Sequence, residues 1–148
     1  MGHRHKAREY ALQALYMYET VNTSPEELVS LNWLNKEIPE DIRKYAVSII
    51  NGSIKKIEFI DNLIKKYSRN WQFERLDTID KSILRLSIYT LLFVPDIPSP
   101  VVINEGVELG KTFGGENSGQ FINGILDSIK NKELNKEEDS TGERQKTK

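Results

Sequence analysis

The chain has 148 residues, enough for one domain or two small subdomains sharing a core and too few for multidomain machinery. Its 38% hydrophobic and 29% charged residues predict a folded chain, and 21 basic against 22 acidic side chains exclude the broad positive field of a protein that coats nucleic acid indiscriminately. With no cysteine there is no disulfide, thiolate nucleophile or thiolate metal site, and no apolar run approaches the roughly 20 residues of a membrane span, so a cytoplasmic protein is expected.

Over the first 20 residues Ala7, Tyr10, Ala11, Ala14, Leu15 and Tyr18 recur at helical spacing and predict one buried helix face. Arg4, Lys6 and Arg8, with His3 and His5 between them, fall at the N-terminal end of that helix, where the dipole is already positive and cations are unfavourable. That placement points to an anionic ligand. Tyr16 adds a planar face suited to unstacked RNA bases, whereas Tyr18 belongs to the apolar stripe and reads as core.

Ser24-Pro25-Glu26-Glu27 combines a capping serine, a proline at the first helical position and a capping-box glutamate, and starts a second helix that carries Leu28, Leu31 and Leu34 to about Lys36. From 40 to 67 the stripe Ile42, Ala46, Ile49, Ile57, Ile60 and Ile64 predicts one long helix, with Gly52 as a close helix crossing and a break at Gly52 as the alternative. Residues 68–76 are irregular, with Trp71, Phe73 and Leu76 as plugs.

Ile79, Ile83, Leu86 and Thr90 mark a helix ending near Phe93, and Pro95, Pro98 and Pro100 enforce a connector. Ser99-Pro100 restarts a helix carrying Val102, Ile103, Val107 and Phe113, and Phe121, Ile122, Ile125, Leu126 and Ile129 form the last stripe. The glycine-rich turn between them serves as a cap and connector, and the amides near Ser118, Gly119 and Gln120 are placed to accept a phosphate, with Phe113 as a stacking face. Residues 133–148 are too polar to bury surface and are expected to be a disordered charged tail beyond a helical domain at 1–132. The fold class is all-α, a bundle of about six or seven helices.

Three weaker signals do not carry chemistry. Gly110-Lys111-Thr112 lacks the glycine five positions earlier that a phosphate-binding loop needs, since Glu105 stands there. His3 and His5 have no third ligand, so no metal site is expected. Glu105 and Glu108 lie one helical turn apart without a histidine nearby and read as helix-face carboxylates.

Ala7-Arg8-Glu9 with Gln13-Ala14-Leu15-Tyr16, then Ile79-Asp80-Lys81-Ser82-Ile83-Leu84-Arg85-Leu86, Val102-Ile103-Asn104-Glu105, Lys111-Thr112-Phe113-Gly114 and Phe121-Ile122-Asn123-Gly124-Ile125-Leu126-Asp127 together resemble the NusB family of bacterial transcription antitermination factors, in the family's order across roughly residues 4–130. The resemblance implies two packed three-helix subdomains, no enzymatic activity and no cofactor. It also implies binding to single-stranded boxA RNA of nascent ribosomal-RNA transcripts, with NusE, a small-subunit ribosomal protein, as partner and the RNA polymerase elongation complex as the setting. By position it assigns RNA contact to Arg4, Lys6, Arg8, Gln13, Tyr16, Lys111, Phe113, Asn117, Ser118 and Gln120, and contact with NusE to Glu74 and Asp80. A homodimer that buries the RNA face is left open.

The chain departs from the family in carrying His5 and Lys6 where arginine is common and Asn117 where aspartate is frequent, and the loss of a negative charge at Asn117 should favour RNA. Two other classes compete: a helical protein-binding scaffold, and an RNA methyltransferase with a NusB-like domain, for which the chain has neither a methyl-donor domain nor a catalytic cysteine.

Overall fold

In the computed structural model the described residues are 2–69 and 71–134, and among them the chain forms seven α-helices and no strand. These are α1 (Gly2–Thr20), α2 (Pro25–Ser30), α3 (Glu40–Lys55), α4 (Ile57–Tyr67), α5 (Thr78–Phe93), α6 (Ser99–Phe113) and α7 (Ser118–Ile129). Helix α5 is buried almost all round, from Lys81 through Ile88, and packs against α1, α3, α4, α6 and α7. An N-terminal unit of α1–α3 and a C-terminal unit of α4–α7 therefore share one core through α5. The second unit counts four helices because the long helix expected at 40–67 is two.

The bend is at Lys56, whose φ of −103° and ψ of 16° leave the helical region, and not at Gly52. It redirects α4 so that Ile60, Leu63 and Ile64 are buried while α4 packs on α5 and α7. The apolar stripe keeps its three-and-four spacing across Lys56, so periodicity could not reveal the change of direction. Gly52 is the close crossing: a Cβ there would lie 2.1 Å from Cζ of Tyr89 on α5.

Helix α2 also stops early. Ser24 caps it as expected, accepting from the Glu27 N–H at 3.2 Å, but Leu31 turns into the left-handed region at φ 57° and ends the helix five residues before Lys36. That conformation costs about 1–2 kcal/mol for a residue with a Cβ, and complete burial of the Leu31 side chain offsets it. Of the three expected plugs Leu76 is buried and Phe73 half-buried, but Trp71 is 62% exposed. The charged tail lies outside the described residues apart from Glu133 and Leu134. These two are held: Leu134 packs on the core, and Glu133 accepts from Lys66 Nζ at 3.0 Å and from the Tyr67 hydroxyl.

Around α5 runs a charge network with little solvent access. Arg85 donates twice to Asp61 of α4 (Nε to Oδ1 and Nη2 to Oδ2, both 2.9 Å) and once to Glu19 of α1 at 2.9 Å, while Lys81 reaches the second Glu19 oxygen at 3.0 Å. Phe73 roofs both cations, its ring centroid 4.3 Å from Lys81 Nζ. Burial alone would raise the Glu19 carboxyl, but the hydrogen bonds and charges of Arg85 and Lys81 outweigh it and hold the group below its ordinary value.

Gly52→Ala is expected to destabilise the fold by about 1–3 kcal/mol through overpacking, and to be neutral or stabilising in a Tyr89→Ala background, where only helix propensity remains. A urea-denaturation double-mutant cycle reads this, and an equal cost in both backgrounds would mean that Tyr89 does not limit the crossing. Arg85→Met takes the cation from Asp61 and leaves Glu19 with Lys81 alone, and should cost about 2–4 kcal/mol at neutral pH. Because the Glu19 carboxyl is depressed in the fold, its contribution is present above the ordinary carboxylate range and lost as pH falls through its folded value, so the gap between variant and parent should narrow in acid.

Candidate nucleic-acid and partner interface

The start of α1 carries no acidic residue in its first turn, and its cations divide into two kinds. Arg4 and Lys6 are exposed, Arg4 lying 5.4 Å above the Tyr45 ring and Lys6 3.6 Å from Glu9 and 5.5 Å above Tyr10. Arg8, expected on the RNA face, is instead 4% exposed: its guanidinium pairs with Glu105 of α6 at 3.4 Å and donates to the Tyr45 hydroxyl at 3.3 Å. The physical reason is its place on the buried side of α1, between Ala7 and Ala11. Glu105 also meets His5 at 3.2 Å, and His5 meets Glu9 at 2.9 Å, so the carboxylate read as a plain helix-face acid ties α1 to α6.

One turn further along α1, Gln13 and Tyr16 share a groove with Phe113 from the end of α6. With Glu9, Leu12, Met17, Trp33 and Ile79 they line a groove of about 360 Å³. Tyr16 is 41% and Phe113 39% exposed, so both rings have free surface, whereas Tyr18 packs against the core as its place in the stripe indicates. Residues far apart in sequence are thus brought to one surface. Trp33 and Ile79 were not among the expected site residues: Trp33 falls off the α2 stripe, and only the turn at Leu31 swings it round, with its indole N–H on the Leu28 carbonyl at 3.0 Å.

At the α6–α7 turn Lys111, Asn117 and Gln120 are exposed. Ser118 differs from its expected role: it is 6% exposed and its hydroxyl accepts from the Gly115 N–H at 2.8 Å, so it closes the turn instead of facing outward. The turn is tight because α6 and α7 nearly touch; a Cβ on Gly110 would stand 3.2 Å from the Gly119 nitrogen.

Beside this turn lies a second cavity, of about 430 Å³, lined by Asp77, Asp80 and Glu116 against Arg75, with Trp71 and Phe121 on its rim. Asp77 caps α5 through the Ile79 N–H at 2.9 Å. Asp80 is half-buried and its Oδ1 is enclosed without a hydrogen-bond partner among the described residues. Burial pushes its carboxyl up, a hydrogen bond with Ser118 opposes this, and the Asp77 charge reinforces it. Glu74 is exposed on the preceding turn and does not line this cavity.

A model of the NusB family matches residues 5–131. The chain belongs to the NusB family. It is 44% identical over 134 residues to the transcription antitermination protein NusB of Leptospira biflexa serovar Patoc, covering 90% of this chain and 96% of that protein, and 46% identical over 129 residues to that of Syntrophus aciditrophicus, covering 87% and 80%. NusB of T. maritima superposes with a TM-score of 0.79 at 34% identity over 87% of this chain and 91% of that one. A crystal structure of antitermination factors NusB and NusE in complex with dsRNA gives 0.78 at 29% identity, covering 87% and 96%. Membership makes the chain a transcription antitermination factor, and the NusB family is not a family of enzymes. No helix among the described residues is long and apolar enough to cross a membrane.

A raised carboxyl in the fold makes the charged form of Asp80 a cost at neutral pH. Asp80→Asn should therefore raise the thermal midpoint near pH 7, with the gain shrinking as pH falls through the carboxylate range, where the parent is protonated too. Thermal unfolding of both proteins across pH 3 to 7 reads the sign, and a destabilised Asn variant at neutral pH would show that the Asp80 charge is matched within the chain.

Proposed function

We propose that this chain, with NusE, binds the single-stranded boxA segment of nascent ribosomal-RNA transcripts in the cytoplasm and holds the emerging transcript at the RNA polymerase elongation complex. No bond is broken, no cofactor is needed and no membrane is involved. The observation that carries the RNA part is the convergence of exposed cations and exposed aromatic rings: Arg4 and Lys6 at the start of α1, Gln13, Tyr16 and Phe113 in the groove, and Lys111, Asn117 and Gln120 on the neighbouring turn. Phosphates suit the first set and unstacked bases the second. A relative seen with NusE and dsRNA supports both partners in kind; preference for a single strand rests on the rings. Arg8 and Ser118 serve this surface from beneath, the first by fixing α1 to α6 and the second by shaping the turn.

Asp80 and the other carboxylates of the second cavity repel phosphate and suit the lysines and arginines of a ribosomal protein, with the exposed Glu74 beside them. A scaffold that binds only protein is the second reading, favoured by the apolar wall of Leu12, Met17, Trp33 and Ile79. A homodimer covering the groove would bury the same wall.

Labelled boxA RNA titrated at several salt concentrations separates these readings. Arg4→Ala with Lys6→Ala should weaken binding about tenfold and flatten the slope of log affinity against log salt by roughly 1.4, at about 0.7 per phosphate on a single strand. The slope for this chain alone should be shallow, equivalent to about two to four phosphates, and steeper with NusE. Unchanged affinity in the double variant, together with equal slopes, would leave the scaffold.

A further inference from the structure

On the far side of the Trp71–Phe121 pair lies another cavity, also about 430 Å³, between the end of α4 and the outer face of α7. Its charge is opposite to that of the acidic cavity. Arg69 and Lys132 line it, no carboxylate among the described residues does, and Gln120 and Ser128 supply neutral polar groups. Ser68, also in the lining, is 3% exposed with a hydroxyl that has no hydrogen-bond partner among the described residues. Tyr67 at the edge gives its hydroxyl to Glu133, whose charge Lys66 balances.

Trp71 and Phe121 line both cavities and meet edge to face, ring centroids 6.1 Å apart at 77°. They form a ridge between a pocket with three carboxylates and one with two cations. The exposed indole, 62% accessible, offers the largest free aromatic face among the described residues, directly beside the cationic pocket. Gln120 makes this pocket continuous with the α6–α7 turn. Stacking on a free ring with cations alongside is the chemistry of sequence-tolerant single-strand binding.

We propose that this pocket seats one further unpaired RNA nucleotide, its base on Trp71 and its flanking phosphates at Arg69 and Lys132, carrying the strand from the α6–α7 turn along α7. The proposal rests on the RNA-binding reading above and adds a subsite to it. An acidic peptide would satisfy the two cations, but it has no use for the broad indole face.

The chain has two tryptophans, so Trp33→Phe makes Trp71 the only indole emitter while keeping a ring in the other groove. Titrating this variant with an unstructured single-stranded RNA of about 12 nucleotides should quench Trp71 emission at the RNA concentrations that raise the anisotropy of a labelled copy. Arg69→Gln with Lys132→Gln should weaken RNA binding about tenfold and flatten the salt slope by roughly 1.4, and Trp71→Leu should weaken it about tenfold at every salt concentration. RNA that binds and responds to the Arg4 and Lys6 changes, yet leaves Trp71 emission and the pocket variants unaffected, overturns the subsite and leaves the RNA reading intact. RNA that does not bind at all overturns both. Quenching by polyglutamate and not by RNA would assign the pocket to an acidic peptide.

Discussion

The pairing of Arg85 with Asp61 and Glu19 is the interaction on which the architecture turns. A guanidinium within a largely enclosed helix face is tolerable only if its donors are matched, and here three of its nitrogens meet carboxylate oxygens at 2.9 Å. Those oxygens come from α1 and α4, so satisfying one side chain of α5 fixes the N-terminal unit and the C-terminal unit against the same helix. Lys81 takes the remaining Glu19 oxygen, which also relieves an acid near the negative end of α1. Helix α5 can then carry small polar and apolar residues elsewhere and be buried almost all round.

The functional surfaces follow from this placement. The Gln13 and Tyr16 stretch of α1 and the end of α6 belong to different units, and they share a groove only because both pack on α5. Glu105 completes the join by holding His5 and Arg8, so one carboxylate on α6 fixes the start of α1 where Arg4 and Lys6 project. A chain of net charge −1 cannot attract RNA by its overall field. It must concentrate exposed cations locally, and much of the acidic charge is set apart in the α5 network and in one separate cavity.

The helices themselves could be read from sequence wherever a stripe stood next to a clear boundary: the Ser24 cap, the α5 stripe and the Pro100 start all fall where expected. The reading failed where one residue changed direction without breaking the pattern. Lys56 bends a stripe whose spacing continues, and Leu31 takes a left-handed conformation that no local signal demands of a leucine. For the site, residue type identified cations but not their orientation. Arg4, Lys6 and Arg8 look alike in sequence, yet the third lies on the face of Ala7 and Ala11 and turns inward to Glu105. Ser118 likewise suits an exposed helix start until the closeness of Gly110 and Gly119 shows how little room the turn leaves.

The ridge of Trp71 and Phe121 shows how neighbouring surfaces can be kept distinct. The two rings stand between the carboxylates of one cavity and the cations of the other, and among the described residues no ion pair joins the two sets. If Asp80 and Arg69 instead faced one another across open water, they would form a surface ion pair worth about 1 kcal/mol or less and offer little to any ligand. Keeping the two sets apart leaves each available to a ligand of opposite charge. The same two rings line both pockets, so an occupant on either side meets aromatic carbon together with charge, acidic on one side and basic on the other.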